Sequence, residues 1–342
     1  MTTRKPKLIK IALDAMGGDN APAELVAGAV QAVRENDVEV RVVGDEDKIE
    51  AELAKHDIAG LPIKSVPSEG FVKEGEQPAI VLRQRPRASI IIATGMVKLG
   101  FADGCVSMGS TGAAMAAAAI GLGMPKGVER PALGGPIIGL APHTVIIDVG
   151  ANVDCRPAQM LNFGVIGDLF ARKFWDIERP RVALLSVGGE AGKGNRQIKD
   201  ATELFEKSGL NFIGTVEANE LPMSKAEVVV CDGFVGNIVM KLTEGLGQAM
   251  AEHLRASLQG KLPADELERV VKEVYELNNV AESWGGGPLF GVNGVSVVGH
   301  GHAKANAVQR AIITAKRAVE SGFVASLNEE LGKVRAIVGE QA

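Results

Sequence analysis

DGCVSMGSTGAAMAAAAIGLGM, residues 103–124, carries a strand, a glycine turn and a helix in immediate succession. Asp103–Met108 is a short apolar run of strand length. Gly109–Gly112 breaks it, and the alanines that follow are the strongest helix formers available. The same order recurs along the chain. Strands are predicted at Leu8–Leu13, Val38–Val43, Thr144–Val149, Arg181–Val187, Asn211–Val216, Glu227–Cys231 and Val295–Val298. Glycine-rich turns at 16–20, 150–154, 188–195, 232–237 and 299–302 follow several of them, each leading toward a helical pattern. Strands alternating with helices in this way predict an α/β fold of three α/β/α layers around a mostly parallel sheet. Ligands of such sheets bind at the carboxyl ends of the strands, where these turns gather.

Composition limits what such a fold can do. The chain has 342 residues, 46% apolar and only 4% aromatic, so its core is built from Val, Ile, Leu and Ala. No repeat and no long polar linker divides it, which predicts a single catalytic unit, readable as two lobes at about 1–105 plus 300–342 and about 106–299. A net charge of −5 gives no general attraction to nucleic acid or to anionic lipid, so an acidic partner needs a local basic patch. Cys105, Cys155 and Cys231 are odd in number and form no C-x-x-C, as expected of a reducing cytoplasm. The basic start MTTRKPK leads into an apolar run of strand length only, which is not expected to be a signal peptide. Residues 112–124 are too few to span a bilayer. In 257–277, Leu267, Val270, Val271, Val274 and Leu277 fall on one helical face, suited to a core, a dimer interface or a membrane surface.

Four stretches offer anion-binding chemistry. In GSTGA, Ser110 or Thr111 is placed to cap the Ala-rich helix, and the first amides, with Gly112, then face outward with the positive end of the helix dipole. LLSVGGEAGKGN superficially resembles a nucleotide P-loop, but Gly194 stands where Ser or Thr is required and the glycine spacing fails. Its Gly189, Lys193, Asn195 and Arg196 still suit a single phosphate. In VVVCDGFVGNIVMK, Asp232 either caps the following helix, orients a donor or holds Lys241, and Asn237 starts the helix. In IDVGANVD, Asn152 and Asp154 stand near Arg156. His300 and His302 have no third ligand at metal spacing, so no metal and no cofactor is expected. Cys231 has no paired histidine nearby and reads as a buried strand cysteine.

Taken together, these strings resemble the phosphate acyltransferase PlsX family of bacterial phospholipid synthesis. The resemblance rests on IALDAMGGDNAP (11–22), SMGSTGA (107–113), IDVGANVD (147–154), LSVGGEAGKGN (185–195), FIGTVEANEL (212–221), VVVCDGFVGNIVMK (228–241), GGGPLFGVNG (285–294) and HGHAKANAVQRAI (300–312). They run in family order over roughly residues 8–320. The resemblance implies a fold akin to phosphotransacetylases and the isocitrate and isopropylmalate dehydrogenases, and a homodimer. It implies transfer of a long-chain acyl group from acyl carrier protein to inorganic phosphate. It also implies a cytoplasmic enzyme held peripherally at the inner face of the membrane, passing acyl phosphate to a membrane glycerol-3-phosphate acyltransferase. His302, Ala303 and Lys304 depart from the family pattern, and 257–277 is more charged than the tip of some members.

Phosphate is an anion already and a departing thiolate has an ordinary pKa of about 8.5, so the reaction needs a cradle and oxyanion donors more than a strong base. Ser110, Thr111, Gly112, Gly189, Lys193, Asn195 and Arg196 are the expected phosphate ligands. Asn152, Asn237 and His300 are the expected donors to carbonyl or sulfur, with Asp232 orienting one of them. Arg83, Arg85 and Arg87 are the expected docking patch for the acidic carrier protein, and Arg172, Lys173, Arg179 and Arg181 form a second basic cluster. The rival readings are a short-chain phosphotransacetylase using acyl-CoA, a decarboxylating NAD-dependent dehydrogenase and a non-enzymatic acyl-carrier sensor. The dehydrogenase lacks a G-x-G-x-x-G fingerprint and a carboxylate trio for a metal. The glycine turns disfavour the sensor.

Overall fold

A computed structural model describes residues 8–73, 75–190 and 192–339. The basic stretch 1–7 lies outside the described residues. The strands are β1 (Ile9–Asp14), β2 (Val38–Gly44), β3 (Ile63–Pro67), β4 (Gly104–Ser107), β5 (Ala132–Pro136), β6 (Val145–Ile147), β7 (Val182–Leu185), β8 (Phe212–Val216), β9 (Val228–Val230), β10 (Gly287–Phe290) and β11 (Val295–Val298). The helices are α1 (Ala23–Glu35), α2 (Glu46–Leu53), α3 (Pro78–Gln84), α4 (Ser89–Lys98), α5 (Thr111–Gly121), α6 (Pro157–Trp175), α7 (Arg196–Lys207), α8 (Gly233–Leu258), α9 (Ala264–Asn278), α10 (Val280–Trp284), α11 (Ala305–Glu320) and α12 (Phe323–Val338). They form two compact units, Met1–Met124 with Trp284–Val324, and Pro125–Ser283 with Ala325–Ala342.

In the first unit the strand order is β3-β2-β1-β4-β11-β10, parallel except for β10. The alternation of a strand decides which helix each residue meets. Ala12 and Cys105 point to the face covered by Ala93 and Met96 of α4. On the sheet's other face, α11 packs across β1, β4 and β11 and α1 packs on α11, so closely that a Cβ on Gly28 would lie 2.6 Å from Val308 Cβ. In the second unit the order is β5-β6-β9-β7-β8, with only β5 antiparallel. Val228 faces Gly167 of α6, while its neighbour Val229 joins Ile146, Ala183, Val239 and Met240 in the core under α8.

The 257–277 stretch is not one helix. α8 ends at Leu258, a turn over 259–263 contains Gly260 at φ +75° and Pro263, and α9 starts at Ala264. Leu267 and Val271 of α9 pack on Ala251 of α8, which makes the apolar stripe the seam of a helical hairpin. Among the described residues no helix is long and apolar enough to cross a membrane.

Candidate active site

In the first unit, three turns leave adjacent parallel strands at one edge. β1 ends in Asp14, whose carboxylate accepts from Ser107 Oγ at the end of β4 (2.7 Å) and from Met16 N (3.3 Å). Asp14 is 3% exposed. Burial raises its pKa above the ordinary 3.8, against the pull of the Ser89 and Ser107 hydroxyls. The next two glycines let the β1 turn touch the β4 turn: a Cβ on Gly17 would lie 2.8 Å from Gly109 Cα, and one on Gly18 2.8 Å from Met108 O. The β11 turn is tied in by Asp19 N to Gly301 O (2.8 Å) and by Asn20 Nδ2 to His302 O (3.1 Å) and Ala303 O (3.2 Å).

Two of the expected groups stand on this edge. Ser110 is the N-cap of α5, as expected, but its hydroxyl makes no capping bond, and Thr111 and Gly112 are exposed. The first amides of α5 therefore carry no side-chain cap while bearing the positive end of the helix dipole. His300 lies in the β11 turn, its ring stacked on His302 with centroids 5.6 Å apart. Gly299 N bonds Ser107 O (2.9 Å), which fixes the His300 turn beside the Ser110 turn.

In the second unit the organising group is Asp148, fully buried just past β6. Its Oδ1 accepts from Leu133 N (3.2 Å), Gly150 N (3.1 Å) and Ala151 N (3.0 Å), and Oδ2 from Asn152 N and Nδ2 (both 2.7 Å). Burial pushes its pKa up, and these donors pull it back. Every neighbour is an N–H donor, so the ring of contacts fits a carboxylate and leaves no acceptor for a proton. Asp148 thereby winds 148–152 into a tight turn. Gly233 N donates to Asn152 O (2.7 Å), and a Cβ on Gly236 would lie 1.9 Å from Asp148 O, which brings α8 down on that turn. Asn237 follows one residue later and rests against Gly150, whose Cβ position is 3.3 Å from Asn237 Oδ1.

Asn152, Asp232 and Asn237 are thus brought together, with altered roles. Both Nδ2 hydrogens of Asn152 are committed, to Asp148 and to Pro131 O (2.8 Å), so it holds the turn and has no donor left for an oxyanion. Its buried Oδ1 has no partner. Asp232 accepts from Val235 N (2.8 Å) as a helix cap, and Lys241 pairs with Glu244 instead (2.7 Å). Asn237 is exposed and is the amide of the three that faces solvent.

The turn after β7 is stitched to the same place by Gln197 Nε2, which donates to Cys155 O (2.6 Å). Lys193 is exposed beside Gly188, and Gly189 is exposed with it. Asn195 caps α7 by accepting from Ile198 N (2.9 Å), and Arg196 is drawn back along the helix to Asp200 (3.5 Å). Among the described residues Lys193 makes no ion pair.

The basic patches are less cationic than their sequence. Arg85 forms a two-pronged pair with Glu76 (2.9 Å for each bond) and donates to Phe71 O, and Arg87 pairs with Glu69 (2.8 Å). Arg83 is exposed, with no ion pair among the described residues. In the second cluster, Arg172 bridges Asp168 and Glu330, and Arg181 pairs with Glu227. Sequence reasoning passed over Asp14 and Asp148. The signal that could have marked them is an acid at a strand end followed within three residues by glycine, the pattern of a side chain closing its own turn.

All three cysteines are buried, and none is set up to ionise. Burial pushes the Cys105 thiol up to about 11 and the Cys155 thiol up to about 12, and Cys231 rises well above 9. No cluster of metal-ligating side chains occurs among the described residues.

Residues 9–326 match the model of a family described as "Fatty acid synthesis protein". The phosphate acyltransferase of Pelotomaculum thermopropionicum is 42% identical over 330 residues, covering 95% of this chain and 96% of its own. Among solved structures, a phosphotransacetylase from Streptococcus pyogenes superposes with TM-score 0.60 at 20% identity, over 92% of this chain and 95% of that one. The 4-hydroxythreonine-4-phosphate dehydrogenase of Klebsiella pneumoniae gives 0.55 at 15% identity, over 93% and 99%. The structural neighbours fix the fold, as the sequence predicts, and the sequence match fixes the rest: the chain belongs to the phosphate acyltransferase (PlsX) family and is an acyltransferase.

Proposed function

We propose that the chain transfers a long-chain acyl group from acyl carrier protein to inorganic phosphate, giving acyl phosphate for phosphatidic acid synthesis. The observation that carries this reading is the chemistry of the strand ends. In the first unit they offer the uncapped amides of α5 and in the second the Asn237 amide and the Lys193 cation, while all three thiols are buried and burial raises their pKa values. Donors without an activated nucleophile suit a substrate that is itself the nucleophile. A phosphate oxygen attacks the thioester carbon, N–H donors hold the tetrahedral oxyanion, and the C–S bond breaks to release the carrier thiolate, which takes up a proton. Within the second unit Lys193 is the candidate for phosphate and Asn237 for carbonyl or sulfur; within the first unit the α5 amides are the candidate for an anion and His300 for a donor.

Arg83 is the proposed contact for the acidic carrier protein. A homodimer is supported by α8, where Ile238, Leu242, Leu246 and Met250 recur at four-residue spacing and are each about half exposed. The acyl phosphate passes to a membrane glycerol-3-phosphate acyltransferase, so the enzyme works in the cytoplasm against the inner face of the membrane.

The test is acyl phosphate formation from inorganic phosphate with one acyl chain presented on carrier protein or on CoA. Carrier protein should give a kcat/KM higher by roughly tenfold or more. A preference for short-chain CoA esters would replace this reading with the phosphotransacetylase one. In the same assay Lys193→Ala should raise the KM for phosphate by roughly tenfold, the worth of one charge-assisted bond. An unchanged phosphate KM removes Lys193 from the site.

A further inference from the structure

Between α3, α4 and α5 of the first unit runs a groove of about 360 Å³, within the range of small-ligand sites. Leu82, Ile91, Ala117 and Ile120 supply its apolar walls, and Gly95 and Gly121 supply positions with no side chain. The single charge in the lining is Arg83, at an exposed position. Among the described residues no other element fills the groove: a Cβ placed on Gly95 would meet nothing within 4 Å, and Ile120 is 70% exposed.

The direction of the groove follows from its walls. α3 and α5 start side by side, since a Cβ on Gly112 would touch Pro78 Cγ at 3.3 Å. They continue together, with Leu82 and Ala117 in one core cluster. α4 closes the third side near the far end of α5, where Gly121 faces Thr94 Cγ2 at 2.9 Å from its Cβ position. At a rise of about 1.5 Å per residue, α5 extends from its uncapped amides at Thr111 and Gly112 to the groove at Ala117–Gly121 over about 8 to 14 Å. One helix thus carries an anion-facing end and an apolar slot on the same unit.

We propose that this groove takes the hydrocarbon tail of the transferred acyl group, with the carbonyl end toward the N-terminus of α5. The proposal rests on the acyl-transfer reading above and deepens it by placing the tail. The walls favour that occupant. An extended peptide would bury backbone N–H and C=O groups against a lining that offers them few partners. A polymethylene chain has none to satisfy, and the missing side chains at Gly95 and Gly121 leave it room to lie against the apolar walls of Leu82, Ile91 and Ile120. Gly95 is then a specificity-determining position, because its missing side chain sets how far the slot stays open.

Two variants test this on the full-length protein. Gly95→Leu enters open space on a helix and fills the slot. Ile120→Asp changes an exposed residue and puts a carboxylate against the tail. The measurement is kcat/KM for acyl phosphate formation with carrier protein bearing a short or a long acyl chain. Each variant should lower the long-to-short ratio roughly tenfold, the scale on which apolar pockets discriminate chain length. If Gly95→Leu fails to fold, Ile120→Asp carries the test alone. A ratio equal to the wild-type one overturns the proposal, as does an Ile120→Asp protein whose sedimentation changes while its ratio does not, which makes a second copy the occupant. A wild-type protein that forms no acyl phosphate from any thioester defeats the transfer reading itself, whereas normal turnover with a flat ratio defeats only the groove.

Discussion

Asp14 and Asp148 carry out the same task in the two units, closing the turn at the end of a central strand, and both are buried at its tip. The consequence differs with their partners. Asp148 is surrounded by five N–H contacts, whereas Asp14 faces the hydroxyls of Ser107 and Ser89 with weaker pulls from the Met16 and Gly17 amides. Because Asp14 is raised above 3.8 in the fold, the folded protein binds its proton more tightly than the unfolded chain does. The stability linked to that proton is complete below 3.8 and is lost as the pH rises through the raised value. Asp14→Asn stays neutral throughout. Urea unfolding of the two proteins side by side should therefore show wild type losing ground to the variant between acidic and neutral pH. A constant difference would mean that Asp14 does not titrate in that interval. Neither aspartate was legible as a site residue, because one acid at the end of an apolar run looks like the first polar residue of any loop. Lys193 and Asn237 stand out in the sequence because each lies among glycines, and both are exposed in the structure. The ion pairs of Arg85, Arg87 and Arg196 with acids nine, eighteen and four residues away cannot be read from the charge run itself.

At the scale of elements, the contact between α8 and the β6 turn is made possible by one missing side chain. Gly236 backs onto Asp148 O with room for no Cβ, whereas Gly245 on the same helix faces open space. Gly236→Ala should lower stability by about 3 kcal/mol or more, because the obstructing atom is backbone and cannot turn aside. Gly245→Ala should raise it by up to about 1 kcal/mol through helix propensity. Thermal melts of both read the contrast, and equal effects would show that the α8 contact has slack. The eight strands expected from sequence all occur, with ends shifted by no more than two residues, since β-branched runs report buried parallel strands directly. β3, β5 and β10 were not foreseen. IKSVP alternates polar residues and ends in proline, while ALGGP and GPLF present glycine and proline that read as turns. The sequence reads 257–277 as one helical segment, but its apolar positions from Leu267 to Leu277 all lie in α9, and Gly260 and Pro263 separate them from the end of α8.

For the whole molecule, a net charge of −5 repels any acidic partner at long range, so the proposed carrier-protein docking would depend on local cations. With Arg85 and Arg87 paired, Arg83 is the cation of that patch available to a partner. Arg83→Glu should raise the KM for acylated carrier protein several-fold and flatten the loss of rate that added salt produces in wild type, an effect of about 1 kcal/mol for an exposed pair. An unaltered salt profile would place the docking surface elsewhere.

The first unit is assembled from distant parts of the chain: β4 closes at Ser107, yet its neighbour β11 begins only at Val295. During synthesis, nearly two hundred residues leave the ribosome while one side of β4 stands as an open ladder of N–H and C=O groups. Such an edge recruits other strands. The nascent polypeptide therefore passes through a vulnerable interval set by connectivity alone, and release before Val298 would leave a sticky half-sheet that no later refolding could close.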